Sequence, residues 1–300
     1  MIKLPRYFGK VEMNGYGEAY RKWLRIPRWA PLPFYSDHGV LHTSFLDDHE
    51  QEHGAKLYIT NSKLRYQAIK DEPYQIVRSP SPWPMYRRIN NIQQSKSASG
   101  TLIFIPHTVH NQEYIYSLDQ YLETIFFSQK YEPPYCFVLH ANNLNSNTHR
   151  YLEKLEHKIV CLGDAFHSNF ISNFYMLAKN FSSAVSAFPG SELYYAHELG
   201  LSFTKINIDI SHDYKSVERR ELFKKIYDDK LYQFSQKQLS KLFSDCTELN
   251  KEAQDLWVSD HLSLDLANHS ETEKIRSLIL SRYLPEIPNY LRTVFKRQFG

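Results

Sequence analysis

The chain places three side chains that can exchange protons or hydrogen bonds directly before a glycine: Ser36, Asp37 and His38, followed by Gly39. An aspartate beside a histidine in a partly buried loop can have its pKa adjusted and can deprotonate a hydroxyl group. This pattern indicates a general base or a nucleophile. The same residues also fit an Asx turn with Gly39 at a positive φ, and the motif taken alone favours that turn.

A second candidate is a helix start, Gly190-Ser191-Glu192, which follows the apolar run "SSAVSAFP". Free N–H groups and the helix dipole favour a phosphate at such a position. Gly190 lets an anion approach the backbone, Ser191 adds a hydroxyl donor, and Glu192 suits a pair of sugar hydroxyls. The alternative is plain capping, with Ser191 as N-cap and Glu192 complementing the dipole. The sequence leaves both interpretations open.

Two further polar groups follow predicted strands. His107 and His110 have a spacing that suits a phosphate or a metal, but the chain lacks the HExxH or HxH pattern of a metal site, and surface loop histidines are common. The run "HANN" begins at His140 and includes Asn142. Its side chains would contact a base or a sugar, or would simply form a turn.

The elements that must position these residues change character near residue 100. From there a strand, a polar turn and a helix alternate four or five times, with strands at 102–105 and 135–139 and in the runs "KIVCLGDAF", "SSAVSAF" and "SFTKINI". This alternation predicts a doubly wound parallel sheet, which binds ligands beyond the carboxyl ends of its strands. His107 and His110, the run that begins at His140, and the segment Gly190-Ser191-Glu192 fall at such ends, as does Gly163 after a further strand.

The rest of the chain is less regular. Short strands are predicted near 57–60 and 74–77, and the proline-rich segment 78–88 is predicted to be a loop. Beyond residue 211 the chain is predicted to be helical and charged, and Ser270 with Glu273 predicts a capping box.

Composition limits the function classes. The 300 residues carry a net charge of +3, which is too mild for a typical nucleic-acid-binding protein. The basic chain ends fit a solvated face better than weak attraction to an anionic membrane or glycan. Three cysteines without CxxC spacing, no signal peptide and no apolar run of about 18 residues predict a cytoplasmic protein. We attribute the 22 Tyr and 18 Phe to coding bias rather than to function.

No P-loop, GxGxxG, GxSxG, kinase signature or paired zinc motif is present, which excludes most ATPases, dehydrogenases and α/β-hydrolases. No DxD motif with apolar flanks is evident either, which argues against a metal-dependent GT-A glycosyltransferase. We therefore expect no metal and no cofactor.

The order of "SDHG", "PHT" and "SSAVSAFPGSELYYAHELG" resembles that of bacterial GT-B glycosyltransferases of surface-polysaccharide assembly. The nearest type uses CMP-activated acidic sugars, as Kdo transferases and some sialyltransferases do. The resemblance covers roughly residues 34–42 and 100–205. It departs from the family at Asp37, where the motif is Asp-His-Gly rather than two acids and Gly.

The resemblance implies roles for individual residues. Asp37 would be the base or nucleophile, supported by His38. Donor-binding residues would be His107, His110, His140, Asn142, Gly163, Ser182, Ser183, Gly190, Ser191 and Glu192. In particular, Ser182 and Ser183 would hold the nucleotide phosphate together with the Gly190–Glu192 helix start. A nucleotide sugar, CMP-linked in preference, would be the substrate.

These observations predict an α/β protein of GT-B type, with two Rossmann-like domains and a helical C-terminal segment. Expected boundaries are 1–130 for the acceptor side, 131–270 for the nucleotide sugar and 271–300 for C-terminal helices that return to the first domain. The expected activity is metal-independent transfer of an acidic sugar onto a lipopolysaccharide, capsule or O-antigen glycan or glycolipid, either free in the cytoplasm or peripheral on the inner membrane. The alternatives are a polysaccharide pyruvyl- or phosphotransferase and a non-catalytic glycan-assembly protein.

Overall fold

The computed structural model describes residues 11–30, 32, 34–46, 57–106, 112–164, 169–214, 216–244, 250–288 and 292. The chain forms two compact units. The first comprises the described residues within Met1–Asn91, Ala165–Ile171 and Trp257–Gly300, and the second those within Ile92–Asp164 and Ser172–Leu256.

The first unit contains a three-stranded parallel sheet in the order β1-β2-β3. Its strands are β1 (Tyr35–Ser36), β2 (Leu57–Thr60) and β3 (Gln75–Arg78). Its helices include α1 (Tyr16–Leu24), α2 (Lys63–Ile69) and α3 (Pro82–Ile89). The tyrosine rings of Tyr35 and Tyr58 stack at 5.1 Å on adjacent strands, and Leu46 and Ile69 complete a small buried core around them.

The second unit contains a five-stranded parallel sheet and a two-stranded antiparallel sheet. The parallel strands are β4 (Thr101–Phe104), β6 (Tyr135–Leu139), β7 (Lys158–Cys161), β8 (Ser183–Ser186) and β9 (Ser202–Lys205), and the antiparallel pair is β5 (Gln112–Ile115) with β10 (Ser211–Tyr214). The helices are α4 (Leu118–Phe126), α5 (Asn147–Glu153), α6 (Phe170–Ala178), α7 (Ser191–Leu199), α8 (Val217–Asp228), α9 (Lys230–Phe243) and α10 (Lys251–Leu262), of which α6 and α10 run across the unit boundaries. Helix α11 (His269–Tyr283) belongs to the first unit.

Helices cover both faces of the five-stranded sheet, as the predicted doubly wound pattern requires. On one face Leu122 of α4 and Leu152 of α5 pack with Ile103 and Phe137 of the strands. On the other face the ring of Phe104 lies 6.4 Å from that of Phe174 on α6. Burial on both faces explains why these strands read as continuous apolar runs. The α/β fold with parallel sheets is therefore confirmed, and it is compatible with a Rossmann-like fold.

The structure corrects two local expectations. Segment 78–88 contains helix α3, because its prolines Pro82 and Pro84 occupy the first helical turn, where the missing N–H groups would have no intrahelical acceptor. The predicted capping box at Ser270 is also wrong: α11 begins at His269, and the side chain of Asn268 caps it by accepting from the Glu271 N–H.

The compact units also divide the chain at different places from the expected boundaries at 130 and 270. The first break falls after Asn91, because β4 pairs with β6 and β8 and so belongs with them. The later break falls within α10, after Leu256.

Candidate functional site

The strand order of the five-stranded sheet, β7-β6-β4-β8-β9, contains a topological switch point. From β4 the chain adds β6 and β7 on one side, and then returns to add β8 and β9 on the other side. The connections therefore leave β4 and β8 toward opposite faces, which opens a crevice beyond their carboxyl ends. Ligands of doubly wound sheets bind in this crevice.

The loop after β8 leads into the start of α7, the predicted phosphate and sugar site. Gly190 rather than Ser191 is the N-cap. The Gly190 N–H donates to Oε1 of Glu192 at 2.8 Å. A Cβ at position 190 would lie 2.8 Å from the other carboxylate oxygen, so a larger residue there would displace the end of the Glu192 side chain from its place over the helix start.

Ser186, the last residue of β8, also donates its hydroxyl to Glu192. Burial raises the pKa of the Glu192 carboxyl, while the hydrogen bonds from Gly190 and Ser186 lower it. The carboxylate is thus fixed in orientation beside the crevice. The sequence analysis did not select Ser186. The signal that could have identified it is its position at the carboxyl end of β8, whereas the selected Ser183 stands at the start of that strand.

The structure does not group Ser182 and Ser183 with Gly190–Glu192, as the resemblance implied. Ser183 is the first residue of β8, and both serine hydroxyls donate to the Gly100 carbonyl, at 3.1 and 3.3 Å. They therefore lie at the amino-terminal edge of the sheet. Three residues of strand, about 10 Å, separate Ser183 from Ser186 at the opposite edge. One phosphate cannot contact both groups.

His140 follows β6, the strand next to β4, and lies at the same edge as α7. Its Nδ1 accepts from the Asn142 backbone N–H at 3.1 Å, so the neutral ring carries its proton on Nε2. Burial lowers the pKa of the His140 imidazole. Gly163, with φ of +101°, follows β7 two strands away from β4. The edge therefore holds His140 close to the crevice and Gly163 further from it.

The loop after β4 carries His107 and His110, which lie outside the described residues. Pro106, two residues after β4, is held from two sides: its carbonyl accepts from Nδ2 of Asn143 at 3.3 Å and from the Tyr116 hydroxyl at 3.4 Å. In the run "HANN" the buried anchor is thus Asn143, whereas Asn142 is exposed.

Tyr121 of α4 is fully buried and lies at the switch point. Its hydroxyl lies 3.0 Å from the Phe104 carbonyl of β4 and 3.4 Å from the Val185 carbonyl of β8. One side chain thus contacts both strands that flank the switch point. Periodicity alone marks Tyr121 only as a core position of a helix.

Asp37 lies at the carboxyl edge of the other sheet, directly after β1, and is 1% exposed. Oδ1 accepts from the Tyr58 hydroxyl at 2.7 Å and lies 3.4 Å from Nε of Arg65, a fully buried residue. Oδ2 accepts from the Thr60 hydroxyl at 2.7 Å and from the Asn61 N–H at 3.1 Å. A carboxylate enclosed by four donors has the environment of a structural anchor. Its expected role as base or nucleophile stays a prediction.

The two residues that flank Asp37 in the sequence differ in burial. Ser36 is buried, and its hydroxyl lies 2.7 Å from that of Tyr20. His38 is half-buried, and its carbonyl accepts from Nδ2 of Asn14 at 3.2 Å. Of the "SDH" triplet, His38 is therefore the residue that retains exposed surface.

The described residues contain no group of three or more His, Cys, Asp or Glu side chains arranged to hold a metal ion. Within the same residues, no helix combines the length and apolar character needed to cross a bilayer.

Comparison with known proteins adds no assignment: no protein-family model matches the chain, and no curated protein matches it.

Proposed function

We propose that the protein is a glycosyltransferase that binds a nucleotide-activated sugar at the switch point of the five-stranded sheet. One observation carries the proposal: the β8–α7 loop places an oriented carboxylate, Glu192, beside the crevice between β4 and β8, with His140 at the same edge. Such crevices bind nucleotides in doubly wound folds. The GT-B arrangement and the preference for a CMP-linked acidic sugar follow from the resemblance.

Within this proposal the donor's hydroxyl groups bind Glu192. Its Oε1 is already engaged by Gly190, so the second oxygen is oriented to accept from a ribose or sugar hydroxyl. The N–H groups at the start of α7 and the Ser191 hydroxyl lie beside this carboxylate and would hold the phosphate, since the helix dipole favours negative charge there. They would also stabilise the charge that develops on the leaving phosphate.

In direct displacement, the acceptor oxygen forms a bond to the anomeric carbon while the bond from that carbon to the phosphate oxygen breaks. The electron pair of that bond leaves with the nucleotide, and the hydroxyl proton passes to a general base and then to water. The resemblance implies that this base comes from the segment Asp37-His38, in which His38 is the residue with exposed surface.

Calorimetric titration with CMP, CDP, UDP, GDP and ADP, without added metal, tests the donor site. We expect selective binding of one nucleotide, with CMP favoured, and a rise in thermal stability of about 2.7 kcal/mol at a hundredfold excess over Kd. Binding of UDP or GDP alone would retain the site and reject the CMP donor. No binding of any nucleotide would refute the proposal.

A further inference from the structure

Four tyrosines of the second unit form a cluster near the β8–α7 loop: Tyr114 on β5, Tyr214 on β10, Tyr227 on α8 and Tyr232 on α9, here called the tyrosine cluster. The ring centroids of Tyr227 and Tyr232 are 5.6 Å apart, and the hydroxyl oxygens of Tyr214 and Tyr227 are 3.5 Å apart.

Arg219 of α8 lies beside this cluster. Its backbone N–H donates to the Ser216 hydroxyl at 3.2 Å, which fixes the residue in the first turn of the helix. The guanidinium lies 5.4 Å from the ring centre of Phe223. Its Nε is buried and, within the described part of the chain, has no hydrogen-bond acceptor. A buried guanidinium donor without an acceptor indicates a place for an anion.

Tyr114 connects Arg219 with the donor site. Its ring lies 4.9 Å from Phe188, two residues before Gly190. Its hydroxyl lies within electrostatic range of the Glu192 carboxylate and of the Arg219 guanidinium. Burial is the main cause of its raised pKa, so the phenol stays a neutral O–H donor at neutral pH. A ligand that contacts Glu192 through hydroxyls therefore extends toward a cation and a phenol.

We propose that Arg219 and the tyrosine cluster bind a second anionic group of the nucleotide-sugar donor, in addition to the phosphate held at α7. The shared chemistry is that of a carboxylate or a phosphate: an acidic sugar supplies the first, and a nucleoside diphosphate the second. Arg matches either group with a planar fork of N–H donors, and Tyr114 adds an O–H donor. This inference rests on the proposed function. It adds that the donor carries a second negatively charged group.

The test is the ratio of Kd values for pairs of ligands of which one carries the second anion, compared between the wild type and variants. The ligands are the monophosphate and diphosphate of the nucleoside that binds most tightly, and CMP-sialic acid against CMP. In the wild type we expect the second anion to tighten binding by roughly tenfold or more in one of the two pairs. The responding pair identifies the source as phosphate or carboxylate.

Arg219→Gln is the main variant, and we expect it to bring that ratio close to one while binding of the monophosphate stays within about twofold. Arg219→Lys retains the charge without the fork and is expected to keep part of the ratio. Arg220→Gln, at an exposed position one residue further, is the matched control and should keep the wild-type ratio. Tyr114→Phe retains the ring beside Phe188 and should lower the ratio by a few fold.

The outcomes separate the two proposals. A nucleotide that binds with the same ratio in the wild type and in Arg219→Gln, or a wild-type ratio near one in both pairs, would overturn this inference and leave the donor site intact. Failure of every nucleotide to bind the wild type would overturn both.

Discussion

The two parallel sheets both collect polar side chains at their carboxyl edges, but they use them differently. In the three-stranded sheet the side chains bond to one another: Asp37, Tyr58, Thr60 and Arg65 form a buried group with every carboxylate oxygen engaged. In the five-stranded sheet Glu192 is oriented by Gly190 at a switch point, while His140 lies at a second strand end and accepts from the Asn142 N–H. Polar residues at strand ends thus serve stability at one edge and are suited to binding at the other.

The largest expected effect is the loss of stability caused by Asp37→Ala, which tests this contrast between the two edges. Removal of the carboxylate leaves the fully buried Arg65 guanidinium without its ion-pair partner, which should destabilise the first unit by about 3–5 kcal/mol. All four tryptophans, Trp23, Trp29, Trp83 and Trp257, lie in this unit, so urea unfolding followed by tryptophan fluorescence reports on it.

The control for Asp37→Ala is Glu271→Gln, which breaks an exposed pair with Lys274 and should change stability by less than about 0.5 kcal/mol. If Asp37→Ala left the unfolding curve unchanged and abolished transfer, Asp37 would be a catalytic residue and the contrast between the two edges would fail.

The next effect depends on pH. His261 is buried in the first unit, with its ring 5.0 Å from that of His42 and 4.2 Å from that of Trp257. Burial is the main cause that lowers its pKa to about 4, and the pKa of His42 is lowered by burial, by His261 and by Arg65. The nearby Asp260 carboxylate, which pairs with Lys63, opposes the shift of His261.

Because the unfolded chain binds protons near pH 6.5 and the folded chain only near pH 4, stability should fall as the pH is lowered through this interval. The loss from His261 should reach about 3 kcal/mol by pH 4. Urea midpoints between pH 7.5 and 4 measure the slope, and His261→Gln should flatten it. An equal slope in this variant would show that another group is responsible.

In the other sheet, Glu192→Ala should weaken nucleotide binding by roughly tenfold to a hundredfold, the loss of hydrogen bonds to a charged acceptor. It should leave the tryptophan-detected unfolding of the first unit unchanged, since Glu192 belongs to the second unit. Titration calorimetry and urea unfolding measure the two quantities. Loss of stability in the first unit with intact binding would reverse the roles assigned to the two edges.

The smallest expected effect compares the two ends of one strand. Ser186→Ala removes a hydroxyl that orients Glu192 and should weaken nucleotide binding by a few fold. Ser183→Ala removes a hydroxyl at the opposite edge, which bonds to Thr101 at 2.9 Å and to Gly100, and should leave binding unchanged. The reverse order of effects would move the site to the amino-terminal edge.

The sequence was sufficient to predict the five-stranded sheet, because its strands are buried on both faces and so appear as uninterrupted apolar runs between amphipathic helices. It also placed Glu192 and His140 at strand ends. It did not distinguish Ser183 from Ser186, since the register of β8 depends on pairing with β4 and β9. The sequence did not predict that Asp37 is enclosed. Its partners Tyr58, Thr60 and Arg65 lie more than twenty residues away along the chain and contact it only because β1 pairs with β2.

The tyrosine cluster shows a different limit. An excess of tyrosine in the composition does not reveal which rings meet, and the pairing of β5 with β10 joins residues about one hundred positions apart. Arg219 appeared only as one charge of a solvated helix face, and its place over Phe223 depends on the start of α8 at the Ser216 cap.

Hydrogen–deuterium exchange of the whole protein, with and without a saturating nucleotide from the panel, tests the central claim most directly. The account predicts protection of backbone amides in 187–193 and 140–144 at the carboxyl edge of the five-stranded sheet, and unchanged exchange in 35–39 and 57–62 around Asp37. Protection confined to the Asp37 segments, or none in either region, would contradict it.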